Sequence, residues 1–221
     1  MVGNAFKIGV DAFNKGDYAT ALEEWVPLAG QGDNSAQFNL DLMYMKGTGV
    51  PQDDETAIKW FTLAAEQGDA DAQFSLGFMY KEEPSVPLSE KTSFRWVKLA
   101  AEQGHNDAQK YLGSMYLAEP DYDNAFAWFK LSAEQKDAAA QNVLGFLYFE
   151  GKGTQEDLDH AYMWFNLAAA QGGTSANKNL EILEEKMSPA QLETAQKFSR
   201  EWREEHQIIT RPIIPLGGGD G

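Results

Sequence analysis

The chain reads as an all-α protein, an α–α superhelix (solenoid) of about five helix-turn-helix repeats closed by a C-terminal capping helix pair. Three observations predict it. Ala-Gln pairs recur at Ala36-Gln37, Ala72-Gln73, Ala108-Gln109 and Ala140-Gln141, spaced 36, 36 and 32 residues apart. A Tyr stands seven residues after each Gln, at Tyr44, Tyr80, Tyr116 and Tyr148. Trp60, Trp96, Trp128 and Trp164 keep the same beat. Self-similarity at such a period marks stacked supersecondary units, none of which can bury its apolar faces alone.

Within each unit the first helix carries Ala, Leu, Gly and Tyr at i, i+4, i+5 and i+8, a one-sided stripe at the helical period. The Leu-Gly pair is Leu76-Gly77, Leu112-Gly113 and Leu144-Gly145, with Leu40-Asp41 in its place in the unit beginning at 34. The second helix carries Trp followed by Leu and small residues: Leu63-Ala64-Ala65, Leu99-Ala100-Ala101, Leu131-Ser132-Ala133 and Leu167-Ala168-Ala169. Asp53-Asp54 and Asp121 are helix-start signals, and the Gly or Lys-Asp after Gln67, Gln103, Gln135 and Gln171 supplies the stop. The Gly residues let two helices of a unit cross closely, and the paired Ala residues admit the next unit.

The remaining sequence extends the same stack. Residues 6–33 form a degenerate leading unit in which Phe13 replaces Tyr, Trp25 is retained and Leu28-Ala29 keeps the packing pair. Units are expected at about 34–69, 70–105, 106–137 and 138–173, with a cap at 174–206 and a single solenoid domain over 6–206. Ser188-Pro189-Ala190-Gln191 opens the last helix with a Ser cap, Pro in the first turn and Gln three residues on. That helix is expected to run to about Glu205, with Leu192, Phe198 and Trp202 inward. Residues 207–221, with two Pro and a Gly-rich end, are expected to be a flexible tail.

Composition excludes several function classes. The 221 residues hold 18 Lys+Arg against 34 Asp+Glu, a net charge of −16, which repels phosphate and argues against nucleic acid and anionic membranes. With no Cys there is no disulfide, thiolate metal site or Cys nucleophile. His105, His160 and His206 are far apart in sequence, which disfavours a multi-His metal centre, and no cofactor is expected. No run reaches the ~18 apolar residues of a membrane span. No signal peptide is visible at the N-terminus. The expected location is periplasmic or secreted if a leader has been removed, otherwise cytoplasmic.

Ala-x-x-x-Leu-Gly-x-x-Tyr, a Gly-x-Gly loop, then Ala-x-x-Trp-x-x-x-Ala-Ala-x-x-Gly resembles the Sel-one-like repeats, relatives of tetratricopeptide repeats. Residues 36–69, with Gly47-Thr48-Gly49-Val50, Ala57, Trp60, Ala64, Ala65 and Gly68, match almost throughout. Residues 140–172, with Gly151-Lys152-Gly153, match equally well. The resemblance implies an α-solenoid adaptor that binds other proteins, often in bacterial envelope or secretory settings. Some members are pinned by disulfides and linked to antibiotic-ring chemistry; a Cys-free chain does not inherit that. Asp41 departs from the pattern, and either a splayed unit or an Asp41 turned to solvent is expected. The unit at 106–137 lacks the Gly-x-Gly loop and passes through Glu119-Pro120-Asp121-Tyr122. The unit at 70–105 replaces it with the acidic, Pro-containing Glu82-Glu83-Pro84-Ser85-Val86-Pro87.

No catalytic motif is present. Gly47-x-Gly49 and Gly151-x-Gly153 follow helices and recur with the repeat, so they read as turns rather than nucleotide loops. Glu82-Glu83 and Glu204-Glu205 lack calcium-loop spacing and read as solvated faces. His160 reads as an ordinary partly exposed side chain. The better candidate is a strip on the concave face formed by the positions around Leu-Gly: Phe38, Leu42 and Met45; Phe74, Phe78 and Lys81; Lys110, Ser114 and Leu117; Asn142, Phe146 and Phe149. An apolar strip rimmed by acids suits a protein or peptide partner with apolar anchors and basic flanks. The same Phe residues would also serve as packing between units. The expected function is therefore a non-enzymatic, monomeric protein-interaction scaffold. Two alternatives stand beside it, a cell-wall hydrolase or its regulator and a self-assembling structural module.

Overall fold

A computed structural model describes residues 2–82 and 89–205. The acidic connection after Glu82 and the tail 207–221 lie outside the described residues. Among the described residues there are twelve helices and no strand. They come in pairs: α1 (Val2–Asn14) with α2 (Tyr18–Gly30), α3 (Asn34–Lys46) with α4 (Asp54–Glu66), α5 (Ala70–Glu82) with α6 (Glu90–Glu102). Then follow α7 (Asn106–Ala118), α8 (Tyr122–Glu134), α9 (Ala138–Glu150), α10 (Leu158–Ala170), α11 (Thr174–Lys186) and α12 (Pro189–Glu205). The chain divides into two compact units after Pro120, the first holding α1–α7 and the second α8–α12.

Helix starts are written in side chains. Asp17, Asp53, Asp121 and Asp157 accept the backbone N–H three residues on at the second helices, and Asp33, Asp69 and Asp137 do so at the first helices. His105 takes this role at α7. Its Nδ1 accepts the Ala108 N–H at 3.1 Å while Nε2 meets Asp71 Oδ1 at 3.0 Å. At α12 the capping box forms in both directions: the Gln191 N–H donates to Ser188 Oγ at 3.3 Å, and the Ser188 N–H donates to Gln191 Oε1 at 2.9 Å. The inward face of α12 centres on buried Ala195 and Ser199, with Leu192, Phe198 and Trp202 half-buried beside them.

Close helix crossing runs through the Gly positions. A Cβ on Gly77 would meet Val97 Cγ2 at 2.7 Å, and one on Gly145 would meet the Phe165 ring at 2.7 Å. The side chain that fills each crossing is thus the residue after the repeated Trp. Phe61, Val97, Phe129 and Phe165 are buried, whereas Trp60 and Trp128 are only half-buried. The leading pair is built differently. Trp25 itself packs against Gly9 and donates its Nε1–H to the Phe6 carbonyl at 3.3 Å. The Gly-x-Gly segments are packed turns. Gly153 has φ 70°, and any Cβ there would overlap the Tyr122 carbonyl.

Asp41 overturns the expectation of a splayed unit or a solvent-facing carboxylate. It is fully buried in α3 at the position of Gly77 and Gly145, and neither carboxylate oxygen has a hydrogen-bond partner. Burial, with the nearby Asp69 charge adding to it, pushes its pKa up to about 9. The unit therefore stays closed by holding a neutral carboxylic acid at its crossing, because protonation is less costly than an unpaired buried charge.

Candidate functional site

In the first unit the predicted strip separates into two parts. Phe38, Leu42 and Met45 are half-buried and pack onto the cluster around Phe61, Leu76 and Met79; Phe38 meets Phe61 edge-on at 6.4 Å. These three belong mainly to the core. Phe74 and Phe78 instead form an aromatic group with Tyr111, at ring distances of 6.1 and 5.9 Å, and Phe74 also meets His105 at 4.9 Å. Phe78 is the exposed member, with 45% of its surface open.

Beside this group lies a groove of about 780 Å³ formed by α5, α6 and α7. Lys81 and Ser114 of the predicted strip line it, together with Tyr111, Phe94 and Tyr116. Phe94 and Tyr116 meet edge-to-face at 5.7 Å, so this wall is rigid aromatic surface. Lys81 is ion-paired to Glu90, and Lys110 to Asp107 at 2.9 Å. Tyr111 donates its hydroxyl to Glu82 Oε1 at 2.8 Å. Burial, reinforced by that carboxylate, raises the phenol far above its usual range, so Tyr111 stays protonated. Ser114 is exposed and donates back to the Lys110 carbonyl at 3.1 Å, and Leu117 is half-buried.

In the second unit Asn142 accepts from the Asn179 amide at 2.9 Å, tying α9 to α11. Phe146 is 41% exposed, and the Lys152 ammonium lies 5.3 Å from its ring centre. Phe149 is half-buried under Lys186, whose Nζ is 4.3 Å from its ring centre. Both aromatics are thus engaged by cations from their own unit.

Tyr111, Phe94 and Tyr116 are the residues that spacing alone did not single out for binding. Tyr111 corresponds to Asn39, Ser75 and Val143 in the other units, so no repeated signal marks its position. Among the described residues no group of three His, Asp or Glu side chains is placed to hold a metal, and no helix is long and apolar enough to cross a membrane.

Paired helices recurring every 32 to 36 residues, close-packed through Gly and Ala, define an α-solenoid repeat protein. The Sel1 repeat profile matches residues 34–69, 70–105, 106–137 and 138–173, well over half of the sequence, and the chain belongs to the Sel1 repeat family. A Sel1 repeat protein of Oxalobacter formigenes is 27% identical, with a TM-score of 0.76 over 87% of this chain and 83% of its own. A protective antigen of uropathogenic Escherichia coli displaying an SLR fold is 24% identical, with a TM-score of 0.53. That match covers 92% of this chain and 54% of the antigen and concerns the fold. No curated protein matches the sequence. Sel1 repeat proteins are generally protein-interaction scaffolds, and the fold is typically a non-catalytic adaptor.

Proposed function

We propose that this protein is a scaffold that binds a peptide segment of a protein partner on the first-helix face, centred on Phe74, Phe78 and Tyr111 and the groove beside them. The single observation that carries the reading is exposed Phe78 against Tyr111 at 5.9 Å, at the edge of a 780 Å³ groove. An apolar or aromatic anchor of the partner would stack on Phe78, and the groove would take the following residues. Lys81 is neutralised by Glu90, which leaves Glu82 and Glu119 against Lys91 at the groove. That balance, together with the chain's −16, favours a partner with basic flanks and speeds its approach at low salt. Phe146 and Phe149 supply the corresponding surface of the second unit. The leading pair α1–α2 and the closing pair α11–α12 act as the two ends of the solenoid over 6–206.

The test uses the full chain and fluorescent peptides carrying Leu and Phe anchors between Lys residues, with Glu-flanked peptides as the counterpart. Binding by the Lys-flanked set, weakened by salt and reduced about tenfold by Phe78→Ala or Tyr111→Ala, is the expected result. Equal binding of both sets, or undiminished binding by the Phe78→Ala, Tyr111→Ala double variant, would refute it. Sedimentation velocity over a range of concentrations distinguishes this monomeric scaffold from a self-assembling module.

A further inference from the structure

The second unit contains a cavity of about 510 Å³ that the scaffold reading does not use. One side of it is apolar and aromatic: Tyr148 from α9, Met163 and Trp164 from α10, and Trp202 from α12. Trp164 and Trp202 meet at 5.2 Å with their planes 62° apart. His160 also lines it, held by Asp157 Oδ2 at 2.8 Å and stacked on Tyr148 at 4.9 Å. The His160 and Tyr148 side of the cavity is therefore held in place.

Three features show that this cavity is more than a packing gap. The Trp164 Nε1–H is buried without an acceptor, although buried indole donors normally find one. Lys130 and Lys136 both line the cavity, and neither has an ion-pair partner among the described residues. Lys136 also sits in left-handed backbone with φ 72°, at the position where the other units have Gly32, Gly68, Gly104 and Gly172. A side chain kept in a conformation that its counterparts reserve for Gly is a departure that structure alone does not reward.

We propose that this cavity is a second ligand site, which takes a small carboxylic acid carried on an aromatic or branched aliphatic body. The body lies against Tyr148, Met163 and Trp202. The carboxylate meets the Lys130 and Lys136 ammoniums, and the Trp164 N–H gains an acceptor where Trp202 gives way. Glu134 lines the same cavity, one carboxylate against two ammoniums, so the cationic end is where the acid group belongs. A cationic ligand would suit the rings but would face both lysines. The volume is within the range of small-molecule sites, about 300–1,000 Å³.

The probes are 3-phenylpropionate, N-acetylphenylalanine and 3-phenylpropionamide, titrated into the full chain by calorimetry and followed by tryptophan fluorescence. Saturable binding of the acids with Kd below about 1 mM, at least about tenfold tighter than the amide, is the expected result. Tighter binding of N-acetylphenylalanine than of phenylpropionate assigns the acid to a peptide C-terminus; the reverse assigns it to a free acid. Lys136→Gly keeps the backbone conformation, so it folds, and it should weaken the acids about five- to tenfold without changing the amide. Lys59→Ala, in the first unit, should leave binding unchanged. The absence of saturable binding, equal affinity for acid and amide, or full affinity in Lys136→Gly would each overturn the proposal.

Discussion

Gln67 donates its side-chain amide to Gln37 Oε1 at 2.9 Å, while the Gln37 amide donates to the Ala29 carbonyl at 2.9 Å. One buried glutamine thereby ties its own second helix to the end of the second helix before it. The clamp recurs as Gln103 to Gln73 to Ala65, at 2.8 and 3.0 Å, and as Gln171 to Gln141 to Ala133, at 2.8 and 3.1 Å. In each case the carbonyl, at a helix C-terminus, also accepts the backbone N–H of Gly32, Gly68 or Lys136 in the turn that follows, and the glutamine takes its second lone pair. Gln73→Ala should lower stability by about 2 kcal/mol, because it removes both hydrogen bonds of the clamp together with a buried side chain. Gln103→Ala, at an exposed position, should cost about 0.5 kcal/mol. Urea denaturation of the two variants measures the difference, and equal costs would mean that the buried glutamine is not the fulcrum.

Asp41 makes stability depend on pH in a stated direction. Its folded pKa is about 9 against an ordinary value of 3.8, so the native state holds the proton more tightly than the unfolded chain. A raised acid contributes fully below its unfolded value and loses that contribution as pH climbs toward the folded value. The native state should therefore weaken between about pH 4 and pH 9, by at most about 1.4 kcal/mol per unit from this group. Asp41→Gly should flatten that slope and raise stability at pH 8 by about 2 kcal/mol or more, since it removes the buried acid and restores the Gly of the other crossings. Denaturation curves from pH 5 to 9 check it. A wild-type protein as stable at pH 9 as at pH 5 would contradict the burial.

The architecture was readable because its causes repeat. A small residue where helices cross, an Ala-Gln pair at each first helix and an Asp before many helices leave periodic marks in a linear sequence. Asp41 was readable as an exception, but not its outcome, because burial of one carboxylate depends on what surrounds it in three dimensions. Trp60 and Phe61 are neighbours in sequence and point about 100° apart on the helix. The Trp gave the stronger periodic signal, yet Phe61 fills the crossing. At the candidate site Phe78 stood out through its place beside Gly77. Tyr111 did not, because its role comes from meeting Phe74 and Phe78 on another helix. His105 as a helix cap was likewise hidden, because Asp holds that position in most other units.

Gly77 measures how tightly two helices cross. A methyl group there would stand 2.7 Å from Val97 Cγ2, 3.0 Å from the Val97 backbone nitrogen and 3.1 Å from the Ser93 carbonyl. Two of those neighbours are backbone and cannot rotate away, so Gly77→Ala should destabilise by about 1–3 kcal/mol through overpacking. Gly30, near the end of α2, has no atom within 4 Å of such a methyl. Gly30→Ala should therefore be neutral or stabilising by up to about 1 kcal/mol. Thermal unfolding of both variants separates the two effects, and similar melting temperatures would show that the crossing has room to spare.

Lys136 should be worth less to stability than the glycine it replaces. Its N–H donates to the Ala133 carbonyl at 2.9 Å, closing the end of α8 in the way Gly104 closes α6 through Ala101 at 3.0 Å. That closure needs a positive φ, which costs an L side chain roughly 1 kcal/mol and costs Gly nothing in sterics. The greater freedom of Gly in the unfolded chain offsets part of that relief. Lys136→Gly should thus raise stability by about 0.5–1 kcal/mol, whereas Lys136→Ala should leave it nearly unchanged, since Ala keeps the strained Cβ. Chemical denaturation distinguishes the pair. A Gly variant less stable than the wild type would mean that the lysine side chain makes a stabilising contact strong enough to outweigh its backbone strain.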